Sequence, residues 1–156
     1  MRNIRNLSTQ ERIEALIKDN LPTTDVKTVT YTAGGDGAIG ALTLFVVTGQ
    51  IKIVSLIPFC ITSLTETGAT VTTLLGVVGD TNLFLDTTEP EDIDAGMFWH
   101  ATATATAAGI AIPASLKDIV ISANIIQTIA NDTISGGVMD FYLSWIPLSS
   151  DAAVVV

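Results

Sequence analysis

The chain has 156 residues, of which 48% are apolar and only 15% charged, with a formal net charge of −9. One domain of this length buries a sizeable core, and so low a charged fraction implies surface shared with partner subunits or an unusually large buried area. The acidic balance excludes a phosphate-binding footprint for nucleic acid, and a single cysteine, Cys60, beside a single histidine, His100, excludes an intrachain disulfide and a zinc site.

Residues 1–24 read as an arm with a short amphipathic helix. Ser8 followed by Glu11 is a capping box, which satisfies orphan N–H groups at a helix start. Ile13, Leu16 and Ile17 then recur at helical spacing as one narrow apolar stripe, and Asn20 with Pro22 beyond it supplies the stop. A helix of about eleven residues is marginal alone, so the stripe is expected to dock, on its own body or on another protein. The arm sets Arg2, Arg5, Arg12 and Lys18 against Glu11, Glu14 and Asp19, a net of +1; the remainder sets three lysines against thirteen acids, a net of −10. That asymmetry points to a contact made by the end itself. Arg2, Arg5, Ile13, Leu16 and Ile17 are therefore the candidate partner-binding residues. Met1 to Asn20 lacks the continuous apolar segment of a signal peptide.

Residues 25–156 read as a β domain. Val26 to Thr32 is a strand ending at the turn Gly34-Gly35-Asp36-Gly37. Ala41 to Thr48 and Ile51 to Ile57, joined by Gly49-Gln50, read as a hairpin. The apolar stretch from Ile39 to Ile61 contains Lys52 and Pro58 and is rich in β-branched residues, so two buried strands explain it better than a membrane span. Pro58 is expected at a strand edge, bend or bulge. Gly68 to Val77 and Thr81 to Leu85 are further strands, turned at Gly79-Asp80, and the acidic loop Glu89 to Gly96 follows. The remaining strands are Met97 to Ala101, Ile110 to Ile112, Asp118 to Ser122, Ile125 to Ile129 and Val138 to Ile146. The Ala-Thr alternation at Ala101 to Thr106 reads as a strand or a pliable loop. Many short strands, no second helical pattern and regular turn signals predict an all-β chain. The expected architecture is an antiparallel β-sandwich or jelly-roll-like domain behind a short N-terminal helix.

Chemistry-bearing residues are sparse. His100 would have to serve any Ser-His-Asp or Cys-His arrangement, yet it follows Phe98-Trp99 in a strand and reads as structural. Cys60, within Ile57-Pro58-Phe59-Cys60-Ile61, reads as a buried inert thiol. Glu89, Glu91, Asp92 and Asp94 offer hard oxygens without the spacing of a calcium loop, which leaves a solvated acidic loop or a cation site. Gly34-Gly35-Asp36-Gly37 lacks the Lys-Thr and the helix of a phosphate cradle and reads as a loop. Trp99, Tyr142 and Trp145 read as core or subunit interface, with a sugar platform as the alternative. No catalytic residue, cofactor or metal is assigned, and the chain is not expected to be an enzyme.

Two stretches carry a family likeness. Thr48 to Trp99 includes Val77-Val78-Gly79-Asp80 and Asp92-Ile93-Asp94-Ala95, and Gly137 to Pro147 leads into a Trp-Ile-Pro-Leu-Ser ending. With these segments the chain resembles small structural proteins of tailed bacteriophages, and a capsid decoration or cement protein fits best among them. The resemblance covers most of the β body and leaves out residues 1–24. It implies a virion component, assembled in the host cytoplasm, that sits across joints between copies of the major capsid protein or on other virion proteins. It further implies a homo-oligomer, a trimer being favoured, with a terminal arm that extends the grip and no contact with nucleic acid or membrane. A tail, neck or fibre-base component remains an alternative, as does a carbohydrate-binding module for host attachment. The apolar end Val154-Val155-Val156 is expected to add to a neighbour's sheet or to be a disordered tail.

Overall fold

The computed structural model describes residues 8–11, 21–68, 70–100, 105–106 and 109–156. At the N-terminus the capping box closes. The Ser8 N–H and the Ser8 hydroxyl both reach Glu11 Oε2 at 2.8 Å, and the Glu11 N–H returns to Ser8 Oγ at 3.3 Å. Residues 9–11 are helical. Arg2, Arg5, Ile13, Leu16 and Ile17 lie outside the described residues.

The described β body has eleven strands in two antiparallel sheets. They are β1 (Thr23–Thr30), β2 (Gly40–Thr48), β3 (Ile51–Glu66), β4 (Thr72–Val77), β5 (Asp80–Thr88), β6 (Phe98–Trp99), β7 (Ala105–Thr106), β8 (Ile119–Ile121), β9 (Ile125–Ala130), β10 (Ile134–Pro147) and β11 (Ala153–Val155). The larger sheet runs β1-β10-β3-β6-β7, with β8 also on β3; the smaller runs β11-β2-β9-β4-β5. The pairings nest. β4 pairs β5, inside β3 with β6 and β8, inside β2 with β9, inside β1 with β10. The chain is in effect one long hairpin rolled up so that successive pairs fall on alternate sheets. This is the all-β sandwich that the strand pattern predicts.

Alternation of side chains explains why these segments become sheet. Along β10, Met139, Phe141, Leu143 and Trp145 face the core, while Asp140, Tyr142 and Ser144 face outward. On β3, Ile51, Ile53, Leu56 and Cys60 are fully buried against them. The smaller sheet answers with Phe45, Leu75, Ile125 and Ile129. Between the layers the Tyr31 hydroxyl donates to Gln127 Oε1 at 2.6 Å, and Gln127 Nε2 donates to Thr73 Oγ1 at 2.8 Å. Trp99 Nε1 is likewise satisfied by Thr88 Oγ1 at 2.9 Å. These bonds remove the cost of burying the polar atoms; those from Tyr31 and Trp99 tie the two layers together, and that from Gln127 to Thr73 joins β9 to β4 within the smaller sheet.

Several sequence expectations need correction. β2 and β3 do not form a hairpin: β2 pairs β9 and β11 in one sheet, β3 pairs β10, β6 and β8 in the other. Gly49-Gln50 is instead the corner where the chain crosses between layers. Gly49 sits at φ +68°, and a Cβ there would overlap Ser149, Asp151 and Ala152. Gln50 then closes the corner, its N–H donating to Ser149 Oγ and its carbonyl accepting from Leu148 N–H. Both strands are apolar because each turns side chains into the core shared by the two sheets, which local periodicity cannot distinguish from pairing side by side.

Pro58 lies inside an interior strand rather than on an edge strand. β8 covers only Ile51 to Ile53 of β3 and β6 meets it only at Phe59, so the ladder on that side is interrupted between them. Cys60 directs its N–H to Met97 O on that side, and Pro58, two residues earlier, turns its donorless nitrogen the same way. Residues 110–112 are not a strand; they lead through Pro113 into the 3-10 turn Ala114–Leu116. The C-terminal end does not trail free as far as Val155. Ala153, Val154 and Val155 pair with Thr48, Val47 and Val46 of the chain's own β2. The Ala-Thr run contributes β7, paired with β6; its residues 101–104 lie outside the described residues.

Candidate interaction surface

The residues singled out for chemistry do not converge. The Cys60 thiol is fully buried and points at the carbonyls of Thr62 and Ile93, at 3.2 and 3.4 Å. Burial pushes its pKa up to about 11, and Asp94 adds to the shift, so the thiolate is suppressed at neutral pH. His100 is half-buried just past β6. The acidic loop is held down by buried Pro90 and Ile93, while Glu89, Glu91, Asp92 and Asp94 point to solvent. Bonds from Leu64 N–H to Ile93 O and from Ala95 N–H to Ser63 Oγ stitch that loop to β3. Among the described residues no group of three or more His, Cys, Asp or Glu side chains is placed to hold a metal ion.

The glycine run is a tight turn locked onto the fold. Gly35 and Gly37 N–H both bond Thr32 O, and Gly37 O accepts from Ile134 N–H at the start of β10. A Cβ on Gly37 would collide with the Ile134 carbonyl, so the run is explained by close backbone approach and not by phosphate binding. Trp99 and Trp145 belong to the core, at 0% and 8% exposure, and present no stacking face for a sugar. Trp145 Nε1 donates to Asp25 Oδ2 at 2.7 Å, anchoring β1 to β10. Among the described residues no helix is long and apolar enough to cross a membrane.

What the fold does expose is an apolar row across the outer face of the larger sheet. Val26 of β1 lies opposite Tyr142 of β10, which lies opposite Ile57 of β3. One step along, Thr28, Asp140, Phe59 and Phe98 form the next row. The Phe59 and Phe98 rings stack at a tilt, with centroids 5.0 Å apart. Val26 and Tyr142 remain 42% and 37% exposed, and Ile57, Phe59 and Phe98 are half-buried. Asp140 is the carboxylate of this face: it accepts from Thr28 Oγ1 at 2.6 Å and from the Tyr142 hydroxyl at 3.1 Å. The ion pair found among the described residues joins Lys52 to Asp118 at 2.6 Å and leaves Asp140 without a cation. Beside the row, where the β3 ladder is interrupted, opens a cleft of about 260 Å³ lined by Leu56, Ile57, Pro58, Phe98, Ile110 and Ile112 among others. Its walls offer apolar contact and no paired acid and base. Sequence reasoning missed this surface because Val26, Ile57, Phe59 and Phe98 become neighbours only through strand register. The half-wet alternation of β1 and β10 was the available signal.

No protein-family model matches the chain, and no curated protein matches it. Among solved structures it is similar to a chain of one described as "Cyanophage Pam1 capsid asymmetric unit". The two share 15% identity at a TM-score of 0.49, over 82% of this chain and 88% of that one. A likeness of that degree carries no argument about function.

Proposed function

We propose that this protein is a structural component of a phage virion, a decoration or cement protein that stabilises the head by burying surface against capsid subunits. The observation that carries the reading is the apolar row Val26–Tyr142–Ile57 on an outer sheet face, in a chain whose catalytic candidates do not converge among the described residues. Such a face suits a partner surface more than a small substrate. Two further features support it. The nested pairing of β1 with β10, β2 with β9, β3 with β6 and β4 with β5 supports reading the sandwich as jelly-roll-like, an architecture that viral capsid domains use alongside lectins and cupins. The segments that resemble phage structural proteins fall on scaffold elements: Val77-Val78-Gly79-Asp80 forms the β4–β5 turn, Asp92-Ile93-Asp94-Ala95 the stitched loop, and Gly137 to Pro147 most of β10.

In this reading the protein is a homo-oligomer, a trimer by preference, and is found in the virion. Its arm of residues 1–24 contributes to docking through Arg2 and Arg5 and through Ile13, Leu16 and Ile17. Co-sedimentation with purified phage heads tests the proposal. The full chain should pellet with heads at a fixed stoichiometry, and Arg2→Glu/Arg5→Glu should weaken the binding. Binding to isolated tails and not to heads would move the protein to the tail or neck, and binding to neither would remove the virion reading.

A further inference from the structure

β1 ends the larger sheet, and among the described residues no strand pairs with its outer edge. Its ladder with β10 runs from Thr23↔Trp145 to Thr30↔Val138 without a register shift. The strand holds neither the proline nor the bulge that commonly keeps an edge from pairing. Threonine and valine dominate it, and both suit a sheet.

The direction of its free backbone groups follows from a neighbouring bond. Tyr31 N–H donates to Gly137 O at 3.0 Å, one step beyond β1 in the same register. Backbone groups alternate sides along an antiparallel strand. Asp25, Lys27 and Val29 therefore bond β10, while Thr24, Val26, Thr28 and Thr30 point their N–H and C=O groups away from it. Side chains alternate in step: Thr24, Val26, Thr28 and Thr30 are exposed on the outer face, and Asp25 and Lys27 are half-buried on the other.

Charge selects what fits this edge. Two copies of β1 related by a two-fold axis at Val26 set Val26 against Val26 and Thr24 against Thr28 as hydrogen-bonded pairs. Asp25 of each copy then faces Lys27 of the other, in the non-hydrogen-bonded position where side chains come closest. Sliding one copy to the next matching register puts Lys27 against Lys27 in one direction and Asp25 against Asp25 in the other. Like charges directly opposite destabilise a sheet, so both flanking registers are disfavoured. The ion pair found among the described residues, Lys52 with Asp118, does not involve Lys27. Asp25 gives one oxygen, Oδ2, to Trp145 Nε1. Pro22 of each copy falls opposite Thr30 of the other and, having no N–H, closes the ladder.

We propose that the occupant of the β1 edge is a second copy of this chain, paired antiparallel about Val26 with Asp25 and Lys27 in reciprocal contact. The joined edges gain about six ladder bonds, two from each hydrogen-bonded pair. The row Ile57–Tyr142–Val26 of one copy runs into the same row of the other on one face, which leaves a doubled apolar band open to further partners. The contact is isologous and closes at two copies. It concerns the free chain, does not depend on the virion reading, and stands apart from the trimer preferred in the virion.

Cysteine cross-linking of the full chain reads the register directly. Val26→Cys meets its own copy across the axis within disulfide range, whereas Thr24→Cys is displaced from its own copy by about 13 Å along the strands. Native Cys60 is buried and stays out of the exchange. Under mild oxidation at low micromolar concentration, Val26→Cys should form a covalent dimer at least tenfold faster than Thr24→Cys. Thr24→Cys mixed with Thr28→Cys should give the mixed dimer. Equal rates for Val26→Cys and Thr24→Cys, or no dimer from either, would overturn the proposal. A second measurement is independent of cysteine placement. Sedimentation equilibrium of the unmodified chain should show a dimer, and Lys27→Glu should raise its dissociation constant about tenfold by setting carboxylates against each other. A monomer throughout would overturn the proposal. So would a dimer indifferent to Lys27→Glu, which would place the contact elsewhere. Neither readout involves heads, so failure here leaves the co-sedimentation result standing, and the reverse is equally true.

Discussion

Gln127 is buried in the middle of β9 with both ends of its amide engaged, by the Tyr31 hydroxyl on one side and by Thr73 Oγ1 on the other. Burial is the largest influence on Tyr31 and holds its phenol far above the ordinary value, so it remains a protonated donor. Gln127→Ala strands two hydroxyls in the core and opens a cavity; a loss of about 3–5 kcal/mol in urea unfolding is expected. Tyr31→Phe removes one bond and should cost about 1–2 kcal/mol. If Gln127→Ala cost no more than Tyr31→Phe, the amide would not be the link between the sheets. Glu66 behaves differently. Its Oε2 is shielded from solvent without a hydrogen-bond partner, and its pKa is raised by desolvation first and then by Glu91, Glu89 and Asp132. A raised carboxyl binds its proton more tightly in the folded chain. Its contribution to stability is therefore full below the unfolded value and is lost as the pH rises through the folded value. Glu66→Gln should be more stable than the unmodified chain near pH 7, with the advantage gone below about pH 4. Urea midpoints at the two pH values check this, and an advantage independent of pH would contradict it.

At the scale of elements, the turn that joins β1 to β2 and the short β11 are the tests. Gly37→Ala sets a methyl group against the Ile134 carbonyl and must displace either the turn or the start of β10, at about 3 kcal/mol. Gly34→Ala, where a Cβ meets nothing, should cost well under that. Equal losses in thermal unfolding would mean that the turn is not locked to β10. β11 covers the edge of β2, and half-buried Val154 packs against the core. Ending the chain at Asp151 should therefore lower stability by about 1–2 kcal/mol and expose an edge that aggregates; a truncated chain as soluble and as stable as the full one would contradict this. These elements also mark how far the sequence was legible. The strands of β1, β4, β5, β9 and β10 and the β4–β5 turn follow from alternation and turn chemistry. The β2–β3 corner did not, because Gly49-Gln50 satisfies a hairpin locally and only the bonds from Leu148 and Ser149 to Gln50 make it a crossing. The fate of Val154 to Val156 was open for the same reason: an apolar end does not state whether it pairs, or with which edge. The outer face was still less legible, since Val26, Ile57 and Phe98 are 72 residues apart at their extremes and meet only through register.

The described residues form a rolled hairpin with an apolar row on the outer face of its larger sheet, in a chain whose first 24 residues carry a net +1 and the remainder −10. A fold of this kind serves many functions, so its role rests on the surfaces it presents. The low charged fraction and the exposed row predict a symmetric oligomer at micromolar concentration. In light scattering, Tyr142→Asp, which breaks the row, should shift the chain toward monomer; an unchanged mass would contradict this. The proposed role, burying surface against virion proteins, is tested most directly by a reconstruction of phage particles assembled in the presence of the chain. The account predicts density for the two-sheet body at joints between capsid subunits on the head, with the outer face of the larger sheet turned toward a neighbour. Particles that contain no copy of the chain, with the protein left entirely in the unassembled fraction, would contradict it.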